Sequence, residues 1–224
     1  MTPRSNSQRP NGSSPKLVRK NAAGAGKIDP PNDSGDPSRR RSALLTRQRI
    51  LAAATDEFAA NGFSGARTAR IAHRARINRA MLHYYFGSKH ALFEQVLRLA
   101  AEQTIREANW NGDDPIGSLV GCIDVLMRDP RRMRLLQWES LQGATIGVQA
   151  PLGSEHFQSL VGVFQDDVQQ QLHKALIVVS AAFGALAFPR SAESAIGQSV
   201  NDPNFAVVHR RLIKRVADCL RRKE

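Results

Sequence analysis

Cysteine is scarce in this chain. Only Cys122 and Cys219 occur, far apart and with no His or Cys at ligand spacing beside them. A disulfide or zinc framework is therefore not expected, and the usage fits a reducing compartment. Long apolar runs are also missing: the longest, residues 175–188, lies between Lys174 and Pro189, well short of the roughly 20 residues a bilayer requires. It reads as a buried or interface helix, and no contact with a membrane is expected. No positively charged start leads into an apolar stretch, so no secretory leader is predicted and the expected location is the cytoplasm, on the nucleoid when bound to DNA. β-alternation of useful length is absent, as is any internal repeat. There is no phosphate-cradling glycine loop, no His-Glu-x-x-His spacing and no nucleophile–base pairing, so neither an enzyme, a metal site nor a cofactor is expected.

What the chain has is a positive charge that is unevenly placed. The formal net charge is +12 over 224 residues, with 42% apolar content, enough for a sizeable core. Residues 1–43 carry nine Lys/Arg against three Asp/Glu, residues 44–90 eight against two, and residues 91–224 fifteen of each. An excess confined to a tail and one small module is the footprint of a segment that sits on phosphate. Half of residues 1–42 are Pro, Gly, Ser or Asn. That composition reads as a disordered basic tail over 1–43, either a solubilising leader or an arm that follows DNA through Arg39, Arg40 and Arg41.

Helical periodicity starts at Leu44. Ile50, Leu51, Ala54 and Phe58 make one apolar stripe, and Asn61-Gly62 supplies a left-handed stop. Thr68 to Ala75 gives a short second helix, Arg76-Ile77-Asn78 a turn with Asn78 as N-cap, and a third helix ends near Tyr85-Phe86. Ser88 caps a fourth helix that runs through Leu92, Val96 and Leu99. Residues 44–90 thus form a three-helix, helix-turn-helix module. In such a module the second short helix enters the major groove. Leu82 and Phe86 face the core, leaving Arg79, Ala80, Met81, His83 and Tyr84 outward: Arg suits guanine, Ala and Met suit thymine methyls, and Tyr and His suit phosphate.

Thr46 to Ala54, Phe58-Ala-Ala-Asn-Gly-Phe63, Ile71-Ala72, and Leu82-His-Tyr-Tyr-Phe-Gly-Ser-Lys89 followed by Ala91-Leu92 resemble the N-terminal domain of the tetracycline-repressor (TetR/AcrR) family. The resemblance covers about residues 44–100. It implies base and groove contacts at Arg79, Ala80 and Met81, and phosphate contacts at Thr68, His83, Tyr84 and Lys89, with Arg67 replacing a hydroxyl contact by a charged one. The chain departs from the family pattern at Arg76, where Gly is usual, at Ala66-Arg67, where Thr is usual, and at His83, where Tyr is common.

Residues 91–224 read as a larger helical region, with helices expected over 116–127, 131–143, 155–172, 174–188 and 204–221 and loops at 143–153 and 189–203. The resemblance implies that this region dimerises and binds a small effector. Residues 175–188, with small Ser180, Ala181, Ala182, Gly184 and Ala185, and the stripe Phe205, Val208, Leu212, Val216 and Cys219 or Leu220 are the candidate homodimer helices. Trp138, Glu139, Gln142, Phe157, Phe164 and His173 are the candidate effector contacts. Arg128, Arg131, Arg132 and Arg134 read as a solvated face or a site for an acidic effector. The expected protein is all-α. The resemblance implies a ligand-responsive, dimeric regulator, expected to be a repressor on a palindromic double-stranded operator and released from it by the effector; the alternative is a nonspecific nucleoid-type DNA-binding protein.

Overall fold

The N-terminal helix carries its apolar residues at the spacing that puts Ile50, Ala54 and Phe58 on one side, and all three are fully buried. In the computed structural model, which describes residues 37–142 and 154–222, that helix is α1, Pro37–Gly65. It begins seven residues before Leu44, where the sequence periodicity starts, so Arg39, Arg40 and Arg41 lie on a helix rather than in the expected tail. The rest of the tail assignment lies outside the described residues. Then follow α2 (Thr68–Arg74), α3 (Arg79–Phe86), α4 (Lys89–Glu107), α5 (Pro115–Arg128), α6 (Pro130–Gln142), α7 (Ser154–Val161), α8 (Val168–Ala187), α9 (Pro189–Ile196) and α10 (Pro203–Arg221). No strand occurs among the described residues, as expected of an all-α chain.

Local chemistry sets the ends. Asn78 accepts a hydrogen bond from Met81 N at 2.8 Å and Ser88 one from Ala91 N at 3.0 Å, each satisfying an orphan donor of the first turn. Two helix limits differ from the sequence reading. The expected helix over 155–172 is broken after Val161, because Asp167 accepts from Gln169 N and Gln170 N and starts α8 afresh. The expected loop over 189–203 contains α9, which has Pro189 in its first turn and left-handed Gly197 as its stop. The loop expected at 143–153 lies outside the described residues.

Two apolar clusters form. The first joins α1, α2, α3 and α4 around Phe58, Ile71, Leu82, Leu92 and Phe93, with the Phe58 and Phe93 rings 4.8 Å apart. Leu97 rather than Leu99 is the buried residue of the next α4 turn. The second joins α5, α7, α8 and α10 around Leu119, Ile123, Leu160, Phe164, Val178 and Ile213. Arg210 ties α10 to Asp124 of α5 at 2.5 Å.

Helix α6 serves both sides. Its Leu135 is fully buried in the first cluster, where Trp138 also packs, while Arg131 reaches Asp56 of α1 at 2.7 Å. Trp138 donates through Nε1 to Ala59 O at 3.3 Å. Its ring lies over Gly62, where a Cβ would come within 2.8 Å of the ring atoms. Gly62 has φ 66 and ψ −179. This is not the left-handed helical stop expected for Asn61-Gly62 but an extended conformation at positive φ, a region only glycine occupies readily. The helical hydrogen bonding resumes after the kink and runs to Gly65.

Gly62→Ala therefore meets backbone strain and the indole together, and should cost about 2–4 kcal/mol in urea unfolding. Trimming the ring with Trp138→Leu in the same chain should leave the two losses clearly less than additive, since they share one contact.

Candidate nucleic-acid interface

The module's electrostatics follow from where its two carboxylates go. Glu57 lies on the apolar stripe of α1 and is 1% exposed. It accepts hydrogen bonds from Arg67 N at 3.0 Å and Arg70 Nε at 2.7 Å, and Arg70 Nη2 stands 2.6 Å away. Burial pushes the Glu57 carboxyl up, but the Arg67 N–H, the Arg70 guanidinium and the charge of Arg74 outweigh it and hold it below the ordinary value of 4.5. The start of α2 is thereby anchored to α1. Asp56 is taken by Arg131. Neither of the two acids in residues 44–90 is left to neutralise the outer face, where Arg67, Arg74, Arg76 and Arg79 are exposed.

The turn between α2 and α3 closes by hydrogen bonds from Arg76 N to His73 O at 3.1 Å and from Ile77 N to Ala72 O at 3.0 Å. These are the paired bonds of a Schellman stop, with Arg76 in the left-handed position at φ 55. The departure from the family's glycine is accommodated by this backbone, at about 1 kcal/mol. It adds a cation to the turn.

On α3, Leu82 and Phe86 are buried, while Arg79, Ala80, Met81, His83 and Tyr84 are all exposed. Met81 and Tyr84, 37% and 40% exposed, are large apolar side chains presented outward beside cations. The Tyr84 and Tyr85 rings meet edge to face with centroids 5.4 Å apart. Thr68 at the start of α2 is half-buried and Arg67 exposed. Lys89 is partly buried: its Nζ stands 4.7 Å above the Phe63 ring and 3.5 Å from Ser64 O. Burial lowers its pKa, with the Glu57 charge acting the other way.

The six candidate effector residues are not brought together. Phe164 is a core residue, 1% exposed; Phe157 packs partly buried against the same cluster; His173 is exposed. Trp138 faces α1 and borders a groove of about 590 Å³ with Ala60, Leu141 and Phe188. Gln142 ends α6, and its side chain lies outside the described residues. Glu139 alone of the six lines the half-open cavity between α4, α5, α6 and α8, of about 190 Å³. Sequence periodicity identifies α6 but not which of its faces meets the cavity. Of the arginines read as a solvated face, Arg128, Arg131 and Arg134 are exposed, with Arg131 paired to Asp56 and Asp129, whereas Arg132 is largely buried and pairs with Glu107 at 2.6 Å and Asp129 at 3.4 Å. The Arg131 hydrogen bond, opposed by burial, leads the effects that hold the Asp129 carboxyl below its usual range.

The sequence reading passed over Glu57, Asp56 and the cavity residues Thr104 and Cys122. Glu57 had a signal, since it sits seven residues after Ile50 and three after Ala54, an acid on an apolar stripe.

An exposed, cationic second short helix on a helix-turn-helix frame defines a DNA-binding transcriptional regulator. Residues 50–96 match the family model of bacterial regulatory proteins, tetR family. The chain is 33% identical over 127 residues to the HTH-type transcriptional repressor SCO4008 of Streptomyces coelicolor, spanning 56% of this chain and 66% of that protein. It is 32% identical over 152 residues to the HTH-type transcriptional repressor NicS of Pseudomonas putida, spanning 58% and 71%. The solved structure of the Streptomyces coelicolor protein SCO4942 superposes with a TM-score of 0.61 at 26% identity, covering 80% of this chain and 99% of that one. The protein belongs to the tetR family.

Glu57→Gln should destabilise the protein by about 2 kcal/mol at neutral pH by removing a buried charge-assisted pair. The carboxyl's lowered pKa means its contribution is present above the ordinary value of 4.5 and is lost as pH falls through the folded value. Urea midpoints of the two proteins should therefore converge on acidification below that range.

Proposed function

We propose that the protein is a dimeric, cytoplasmic repressor that leaves a palindromic operator when a small molecule occupies its helical core. The observation that supports the DNA-binding half is the exposed outer face of α3, flanked by Arg67 and Thr68 at the start of α2 and Lys89 at the start of α4; in this reading Arg79, Ala80 and Met81 meet base edges, and His83, Tyr84, Thr68, Arg67 and Lys89 meet phosphate. Both acids of residues 44–90 are engaged elsewhere, so nothing on that face repels a duplex. Residues 44–90 are the DNA module and 91–224 the effector and dimerisation region, with α4 and α6 running between them.

Support for the dimer is an unpartnered apolar surface. On α8, Leu176 and Ile177 are 54% and 50% exposed, on the same side as Ser180 and Gly184; on α10, Val208 and Leu212 are 51% and 47% exposed. The remaining residues of the sequence stripe divide, with Phe205 buried inward and Cys219 outward. Two copies of this surface suit a two-fold four-helix contact that fixes the spacing of two recognition helices at about 34–36 Å or a multiple. An effector acts by favouring a different spacing.

Footprinting on DNA flanking the coding sequence, followed by titration, tests the reading. Arg79→Ala should lose about 1–3 kcal/mol of discrimination at one base pair. Lys89→Ala should weaken all sequences alike and shallow the salt dependence by about one phosphate. Indistinguishable effects on operator and random DNA would overturn these roles.

Gly184→Glu tests the dimer. A Cβ at Gly184 meets nothing within 4 Å, so the subunit tolerates the side chain, whereas a dimer contact would bury an unpaired carboxylate. Sedimentation should give a folded monomer whose operator affinity has collapsed to weak, salt-sensitive binding; a monomer with undiminished operator affinity sinks the spacing mechanism.

A further inference from the structure

The cavity of about 190 Å³ between α4, α5, α6 and α8 is smaller than the roughly 300–1,000 Å³ of sites for drug-sized ligands, so its occupant is compact. Ala101, Ile105, Leu126 and Phe183 give it apolar walls. Two ionisable side chains of opposite sign also line it, and their surroundings differ. The Arg132 side chain, 11% exposed, is already paired with Glu107 at 2.6 Å and Asp129 at 3.4 Å, and its Nη1 lies 3.4 Å from Thr104 Oγ1. Glu139 has no hydrogen-bond or ion partner among the described residues. Burial raises its carboxyl pKa above the ordinary value. The Cys122 thiol, pushed up to about 12 by burial, stays neutral and supplies no competing charge.

An anion gains little here, because the guanidinium is neutralised and the free carboxylate repels it. A neutral occupant leaves Glu139 poorly solvated beside apolar walls. A cation satisfies the carboxylate and fills the apolar space at once. We propose that the cavity takes a small apolar amine, one protonated nitrogen on a compact aromatic or aliphatic body, with the Glu139 carboxylate as its counter-ion. The assignment rests on reading the core as the effector site and specifies the chemical class of that effector.

Benzylamine, benzyl alcohol and benzoate share one ring and differ in charge, and calorimetric titration of the full-length protein with each at about pH 7.5 tests the assignment. Benzylamine should bind about tenfold or more tighter than benzyl alcohol, with benzoate weakest. Glu139→Gln should bring benzylamine to the level of benzyl alcohol while leaving benzyl alcohol within about twofold. The wild-type protein provides a readout free of any folding defect: its preference for benzylamine should shrink as pH falls and the carboxyl takes up its proton, starting above the range of an ordinary glutamate. Equal affinity for the three probes, a preference for benzoate, or a benzylamine preference that survives Glu139→Gln would each overturn the assignment. Operator affinity, measured alongside, should fall with benzylamine. Specific operator binding by a protein that does not discriminate among the probes removes the amine assignment alone; absence of specific operator binding removes the regulator reading, whatever the calorimetry gives.

Discussion

A single buried carboxylate governs how the DNA-facing helices are presented. Glu57 holds the backbone at Arg67 and the guanidinium of Arg70, so α2 cannot rotate about its own axis without leaving a charge stranded in the apolar core. The Schellman turn at Arg76 then passes that orientation to α3, whose Leu82 and Phe86 lock it from beneath. The recognition surface has no packing partner of its own; it is defined by what lies under it. This is how a helix of only two turns, too short to be stable alone, keeps five side chains in a fixed outward array.

The same economy of charge explains the composition. The two acids of residues 44–90 are both paired, Glu57 in the core with Arg70 of α2 and Asp56 at the surface with Arg131 of α6, which leaves the remaining cations of the module without a carboxylate on the outer face. In the larger region the charges balance, and two ion pairs join helices, Arg132 of α6 with Glu107 of α4 at 2.6 Å and Arg210 of α10 with Asp124 of α5 at 2.5 Å. The exposed positive charge is thus concentrated on the helix-turn-helix segment, while the larger region is charge-balanced and leaves the apolar surface of α8 and α10 exposed.

Much of this was legible in the sequence wherever the cause is local. The α1 stripe, the Asn78 and Ser88 caps and the inward pair Leu82 and Phe86 follow from spacing and capping chemistry within a few residues. The break before α8 was missed because apolar residues continue on both sides of Asp166-Asp167 and hide the cap. The contacts of Arg131 with Asp56 and of Trp138 with Ala59 join residues 75 and 79 positions apart, and nothing in either segment announces the other. The candidate effector residues are not gathered at one place for a related reason: composition picks out aromatic and polar residues on helices, but only the neighbouring helices decide which of them turn towards a void. Glu139 faces the cavity and Trp138, its immediate neighbour, does not.

That adjacency has a consequence for heredity. Along α6, Arg131, Leu135 and Trp138 face α1, whereas Arg132, Leu136 and Glu139, each one position further, line the cavity. A shift of one codon therefore moves a lesion from the surface that supports the DNA module to the surface that lines the cavity. Random mutagenesis of this short stretch should yield two opposite kinds of allele, interleaved rather than clustered: one that can no longer silence its target, and another that silences it permanently.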